Sequence, residues 1–258
     1  MSLELIRSLP RALSAEALKL RGTLALWMSL VAPLAIVALV VLQLALGHMA
    51  KQAPFTPEEA WSRYGLGVLT LWAFLMMPLF VTLQSALLAG LEHGNHQWKH
   101  LFALPLPKGV HYLSKLVALT GMLGLAMLVL FAMIPLGGWM LSTLQPRLGI
   151  AGAPPLGTIA RDLSAIFAAG LLIVALHTWI ALRWRSFTVA VSIGMVATVA
   201  GFLIMQSKDY GYLYPWSMPV SAVAGHGLHM AFVVKAGLVG GALVTAAGLW
   251  NFVRREDV

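Results

Sequence analysis

The chain has 258 residues, 60% hydrophobic and 10% charged, with a mean hydropathy of +0.85; that composition belongs to a polytopic membrane protein and leaves little chain for a soluble domain. Without cysteine it has no disulfide, no thiolate metal site and no cysteine nucleophile. Its net charge of +8 is scattered over short polar stretches beside apolar runs, with no aromatic-interleaved basic patch, which excludes a nucleic-acid-binding module.

Residues 3–21 repeat Leu5, Leu9, Leu13, Ala17 and Leu20 near helical spacing, with Arg7, Arg11, Glu16 and Lys19 elsewhere and Pro10 interrupting the pattern. This predicts an amphipathic basic helix at the membrane interface. No small-residue cleavage site closely follows the first apolar run, so the leader is expected to be retained. At about 20 apolar residues per helical crossing, six runs qualify as spans: 24–47, 66–91, 116–144, 163–182, 187–206 and 231–253.

The first span carries Pro33 and Gln43, and the second Pro78, Gln84 and Ser85. The prolines read as packed kinks, and the polar three as candidates to line a path. Between the spans, 48–64 is expected to be a loop, whose Glu58-Glu59-x-x-x-Arg63 string is similar to the first motif of CAAX-type intramembrane proteases. Its place after Pro57 fits better with a capped loop helix carrying an internal ion pair.

The polar, basic stretch 92–115 is the main interruption in the apolar sequence. Its first part is helix-compatible, Leu104-Pro105-Leu106-Pro107 stops that helix, and Lys108 restarts one that runs into the third span. A short helix with a rigid stop is a docking element. His93, His96 and His100 fall on one helical face at spacings that zinc could use, although a solvated or partner-facing stripe is the preferred reading.

In the third span, Pro135-Leu-Gly-Gly138 is expected to break the helix near one face, and 145–156 is a proline- and glycine-rich loop. His177 in the fourth span is expected to be a hydrogen-bonded packing residue rather than a proton relay. Spans four and five are joined by Arg183 to Ser186. In 207–230, Tyr210, Tyr212, Tyr214 and Trp216 suit headgroup depth. The apolar stretch 219–224 is too short to cross, so a re-entrant or interface-lying segment is predicted; His226 and His229 read as interfacial polar residues. The last span carries Gly237-x-x-x-Gly241, a stripe for close helix approach within one copy or between two.

Eleven of the 17 lysines and arginines fall at the termini and in the even-numbered connections, leaving Lys51, Arg63, Arg147, Arg161, Lys208 and Lys235 elsewhere. Both termini and the 92–115 stretch are therefore expected in the cytoplasm. There is no phosphate loop, G-x-S-x-G elbow or H-E-x-x-H pair. None of the nine acids lies well inside a predicted span, so energy for any transport is expected from another subunit.

The layout as a whole resembles the ABC-2 type permease family, and within it the lantibiotic-immunity and bacitracin-efflux permeases. The matching residues are 15–20 (Ala-Glu-Ala-Leu-Lys-Leu) with Pro33, then Glu92, Leu104-Pro105, Lys108 and Lys115, and later Tyr214-Pro215-Trp216-Ser217. The resemblance implies an all-α membrane protein that is one domain over 1–258. It has six transmembrane helices, an N-terminal amphipathic elbow helix over 1–22, a cytoplasmic coupling insert over 92–112 and an outer re-entrant segment over 207–230.

It further implies that Glu92, His93, Asn95, His96, Trp98 and Lys99 form a coupling helix that contacts an ABC ATPase subunit, supported by Pro105, Lys108 and by Lys115 at the membrane edge. Tyr214, Pro215 and Trp216 would form an outer gate. Two ATPase subunits on separate chains would bind ATP and Mg, with no cofactor on this chain. A second permease subunit, identical or related, would complete the pathway through the lipid of a bacterial cytoplasmic (inner) membrane. The implied activity is efflux of an amphipathic or hydrophobic substrate such as an antimicrobial peptide, as in antibiotic resistance. Three other readings stay open: an intramembrane metalloprotease using Glu58 and Glu59, export of a metal or other ion, and a non-catalytic sensor subunit on the same fold.

Overall fold

The computed structural model describes residues 3–47, 55–93, 107–184, 186–207 and 209–254. Every extended element among them is helical. The leader forms α1 (Leu3–Leu20), and α2 is Leu24–Leu46. The second crossing is α3 (Pro57–Leu71), a π-helical turn at Trp72–Met76, and α4 (Met77–His93). Then come α5 (Lys108–Leu144), α6 (Leu156–Arg183), α7 (Phe187–Ile204), the short α8 (Met218–Ser221) and α9 (Met230–Val253). Six of these helical stretches are long and apolar enough to cross a membrane, in the order expected.

Boundaries move for local reasons. Helix α3 begins at Pro57 as the expected capped helix, with Thr56 and Glu59 in a reciprocal capping box and proline in the first helical turn, but it runs on into the second span instead of ending in the loop. The π-helical turn sits directly before Pro78. That proline cannot donate to the carbonyl of Phe74 and its ring would strike it, and a wider turn relieves both problems.

The expected break at Pro135 does not occur: α5 runs unbroken through it. Gly137 and Gly138 are packing notches rather than breakers, since a Cβ on Gly137 would overlap the Tyr64 hydroxyl and one on Gly138 the ring of Trp61. Helix α1 likewise runs through Pro10, which lies on its exposed side.

Packing centres on α5 and α6. Helix α2 lies along α5, α9 along α6, and α4 sits against α6 and α7. Trp72, Leu123, Leu130, Ile134, Ile166 and Ile173 are fully buried between them. The outer faces of α7 and α9 present Val196, Val199, Leu203, Val239 and Leu243 outward, as expected of helices that face lipid tails rather than water. The Gly237-x-x-x-Gly241 stripe turns inward, onto the backbone of Ala168, Ala169 and Leu171 in α6, so its role in this structure lies within one copy.

Candidate functional site

The two ends of the 92–112 insert are held differently, one by the first crossing and the other by the leader. Of the residues predicted for the insert, Glu92 and His93 close α4 as helical backbone. Asn95, His96, Trp98, Lys99, His100 and Pro105 lie outside the described residues. Lys108 opens α5 directly after Pro107, where the two prolines were expected to stop one helix and allow the next.

Lys115, two turns into α5, is not at an exposed edge. It is buried, and its Nζ lies 2.7 Å from Oε2 of Glu16, while Lys19 holds Oε1 of the same carboxylate at 3.0 Å. On the α4 side, Gln84 Nε2 donates to the carbonyl of Ala25 at the start of α2, at 2.6 Å. Both helical roots of the insert are thereby tied to the α1–α2 corner. Gly22 turns that corner with φ 77°, and Thr23 caps α2.

Glu16 corrects the sequence reading, which put it on the polar face of the leader. The buried stripe of α1 is Ala12, Glu16 and Leu20, while Ala17 is exposed and Leu18 is 70% exposed. Burial alone would raise the Glu16 carboxyl, but Lys115 and then Lys19 outweigh it and hold the group below its ordinary value. The signal available in the sequence was the spacing of Glu16, three residues after Leu13 and four before Leu20, which also fits the apolar side of the leader.

At the opposite end of the bundle, the Tyr214-Pro215-Trp216 stretch folds back inward. Tyr214 donates its hydroxyl to the carbonyl of Ala197 at 3.0 Å, and Trp216 packs on Tyr214 and edge-on to His177 with centroids 5.6 and 5.7 Å apart. Ser217 bonds back to the carbonyls of Gly211 and Tyr214. Among the four aromatics expected at headgroup depth, Tyr210 is 68% exposed, whereas Trp216 is buried. Residues 218–223 are buried as well, with α8 against α6 and the π-helical turn. Tyr212 stacks on His229 at 4.0 Å.

His177 is hydrogen bonded and packed, as expected. Its Nε2 meets Thr82 Oγ1 at 3.1 Å, and Gly194 of α7 approaches both side chains. Thr82→Val would leave the imidazole buried without that partner and is expected to cost about 1–3 kcal/mol, while adding His177→Leu should recover most of the loss. Thermal unfolding of the two variants in detergent checks this. A double variant that is stable but dead in transport would give His177 a chemical role.

Other sequence candidates part company. Gln43 lies near the far end of α2, whereas Gln84 reaches the start of that helix and Ser85 bonds its own helix at Thr82, so the three do not share a path. Glu59 caps α3, and Glu58 is exposed in its first turn. Arg63 stacks over Phe55 at 4.2 Å, and no ion pair joins it to either glutamate among the described residues, so the expected internal ion pair is absent. Asp162, expected outside the fourth span, is buried within α6 because that helix begins at Leu156, and it pairs with the adjacent Arg161 at 2.8 Å. Among the described residues no three histidines or acids converge as metal ligands; His96 and His100 lie beyond them.

Residues 12–201 match a protein-family profile described as ABC-2 family transporter protein. No curated protein and no solved structure matches the chain.

Proposed function

The chain belongs to the ABC-2 family of transporter proteins, and from that premise we propose that it is the permease subunit of an ATP-driven exporter whose ATPase resides on separate chains. Two ATPase subunits dock on the insert, and two permease halves form the pathway in a bacterial cytoplasmic membrane, with both termini inside. The cargo is an amphipathic or hydrophobic molecule such as an antimicrobial peptide. The outer segment around Tyr214, Pro215 and Trp216 gates its exit.

The observation that supports this reading is the anchoring of the insert at both roots. A coupling element transmits motion only if it is short and fixed to what must move. Here one root is held by Gln84 on the Ala25 carbonyl and the other by Lys115 on Glu16. A push on residues 94–106 is then delivered to α2, α4 and α5 together. In the same bundle, the π-helical turn beneath α8 offers a place where the second crossing can change pitch.

The test is affinity purification from the native membrane, with partners identified by mass spectrometry and ATP hydrolysis measured against a panel of lantibiotic and bacitracin-type peptides. An ATPase chain co-eluting at about one per permease supports the reading, and a permease that elutes alone and inactive sinks it. Within the complex, Glu92→Ala and Trp98→Ala are expected to abolish peptide-linked stimulation of hydrolysis while leaving membrane insertion intact. Unchanged stimulation would remove the insert from the mechanism.

A further inference from the structure

A cavity of about 730 Å3 opens between α2, α3 and the 146–150 turn, at the end of the bundle opposite the insert. Its walls are mostly apolar, with Val40, Leu44, Leu71, Phe74 and Ile150 among them, and its polar groups include Arg63, Gln43 and Thr70. The size falls within the ~300–1,000 Å3 usual for small-ligand sites, and a few polar groups in an apolar wall is their usual make-up.

Depth identifies the medium that reaches it. Arg63 precedes the end of α4 by about 30 residues, or about 45 Å of helix, which matches the ~40–45 Å of a bilayer including its headgroups. Arg63 therefore stands at headgroup level in the leaflet opposite the insert. Phe74, in the π-helical turn, lies about 16 Å deeper. The cavity thus runs from a cation at the polar surface to the hydrocarbon interior.

The cation is available to a ligand. No described carboxylate pairs with Arg63. Glu59, one turn before it, bonds the Thr56 amide at 3.1 Å, and the adjoining residues 48–54 contribute Lys51 and no acid. Phe55 under the guanidinium orients it by stacking. On the same side, Gly149 lies against the Phe55 carbonyl with a φ of 75°, a conformation and an approach that disfavour any side chain there.

We propose that this cavity binds an anionic phospholipid from the leaflet opposite the insert, with its phosphate on Arg63 and an acyl chain against Leu44, Leu71 and Phe74. A planar guanidinium forms paired, charge-assisted bonds to phosphate oxygens, and the apolar wall offers no comparable recognition for a soluble anion. Gly67 supplies a clean way to block the space. It lines the cavity, and a Cβ added to it meets nothing within 4 Å, so Gly67→Leu places bulk at the cavity wall with no clash at its Cβ.

Native mass spectrometry of the full chain, titrated with phosphatidylglycerol or phosphatidylcholine after delipidation, tests the assignment. One phosphatidylglycerol is expected to bind in preference to phosphatidylcholine. Arg63→Gln should weaken it about tenfold, the loss of one charge-assisted contact, and Gly67→Leu should weaken both lipids. Gly121→Leu, in a second groove that also has open space at its glycine, should leave binding unchanged. Equal binding of the two lipids, undiminished binding in Arg63→Gln, or a matching loss in Gly121→Leu overturns the proposal. So does a wild-type chain that retains no lipid, the result expected if its own residues fill the cavity. Arg63→Gln alters an exposed side chain and decides the matter even where Gly67→Leu fails to fold. The assay needs no ATP hydrolysis, so its failure is separate from that of the transporter reading.

Discussion

Replacing Glu16 with glutamine is expected to destabilise the protein by about 3 kcal/mol and to uncouple the insert from the bundle. Breaking a buried ion pair from one side costs about 3–5 kcal/mol, because the remaining charge stays out of water without compensation. Here the side chains of Glu16 and Lys115 are only 7% and 4% exposed. The lower end of the range applies because both lysines have further partners. Glutamine keeps the shape and one acceptor, so the loss isolates charge from packing.

The reciprocal control is Glu16→Leu with Lys115→Met, which removes both charges and fills similar volume. It should return most of the stability, since apolar replacements of buried pairs are often neutral or better. If the pair serves to transmit motion, the double variant will be stable yet poorly coupled. If it serves only to hold α1, both properties will recover together. Thermal unfolding of the purified protein and ATPase stimulation of the complex separate these outcomes.

The pH dependence follows from the same residue. Glu16 has its carboxyl depressed in the folded state, so its contribution is fully present above the ordinary glutamate value. It is lost as pH falls through the lower, folded value. Acid should therefore destabilise the wild type more than the charge-free double variant. Stability curves that run parallel down to that range would show that the pair contributes nothing.

How far the sequence carried this reading depends on which physical signal each element leaves. Spans announce themselves by length and apolarity, and Leu24–Leu46 and Met230–Val253 lie within a residue of their expected limits. Chain punctuation was less reliable, because a membrane bundle supplies partners that a local rule does not see. Gly137 and Gly138 look like breakers in sequence, yet the rings they accommodate, Tyr64 and Trp61, lie far away in the chain. The partner of Glu16 is similarly remote, at Lys115, and helical periodicity alone assigned the acid to the wrong face. Trp216 is a further case: an aromatic near a tyrosine cluster suits headgroup depth, but the buried His177 edge draws it inward. The restart after the insert was legible, and Lys108 opens α5 where it was expected; the expected stop at 104–106 lies outside the described residues.

The glycine stripe of α9 yields the second large effect: Gly237→Ala should destabilise the protein strongly, while Gly240→Ala on the same helix should be neutral or mildly stabilising. In a helix interior, alanine is favoured over glycine by about 1 kcal/mol, so propensity predicts a gain at both positions. Space separates them. A Cβ at Gly237 would stand 2.5 Å from Ala169 Cα and 2.8 Å from the Ala169 carbonyl oxygen, whereas one at Gly240 meets only the flexible end of Leu172 at 3.3 Å. Backbone has no rotamer with which to yield, so α9 must move away from α6, and overpacking of this kind costs about 1–3 kcal/mol.

Helix α9 is held chiefly along α6, since much of its remaining surface faces outward; at its far end Gly248 meets Tyr112, Phe252 packs on the Tyr112 ring and Asn251 accepts from the indole of Trp179 at 3.3 Å. Movement at Gly237 therefore carries the segment after α8 with it, because α9 follows that segment directly in the chain. Thermal unfolding of the two alanine variants, with a cysteine pair placed across α6 and α9 to report their separation, distinguishes the cases. Equal effects at the two positions would remove the seam from the fold's support. A Gly237 variant of normal stability but altered oligomeric state would move the stripe to an interface between copies.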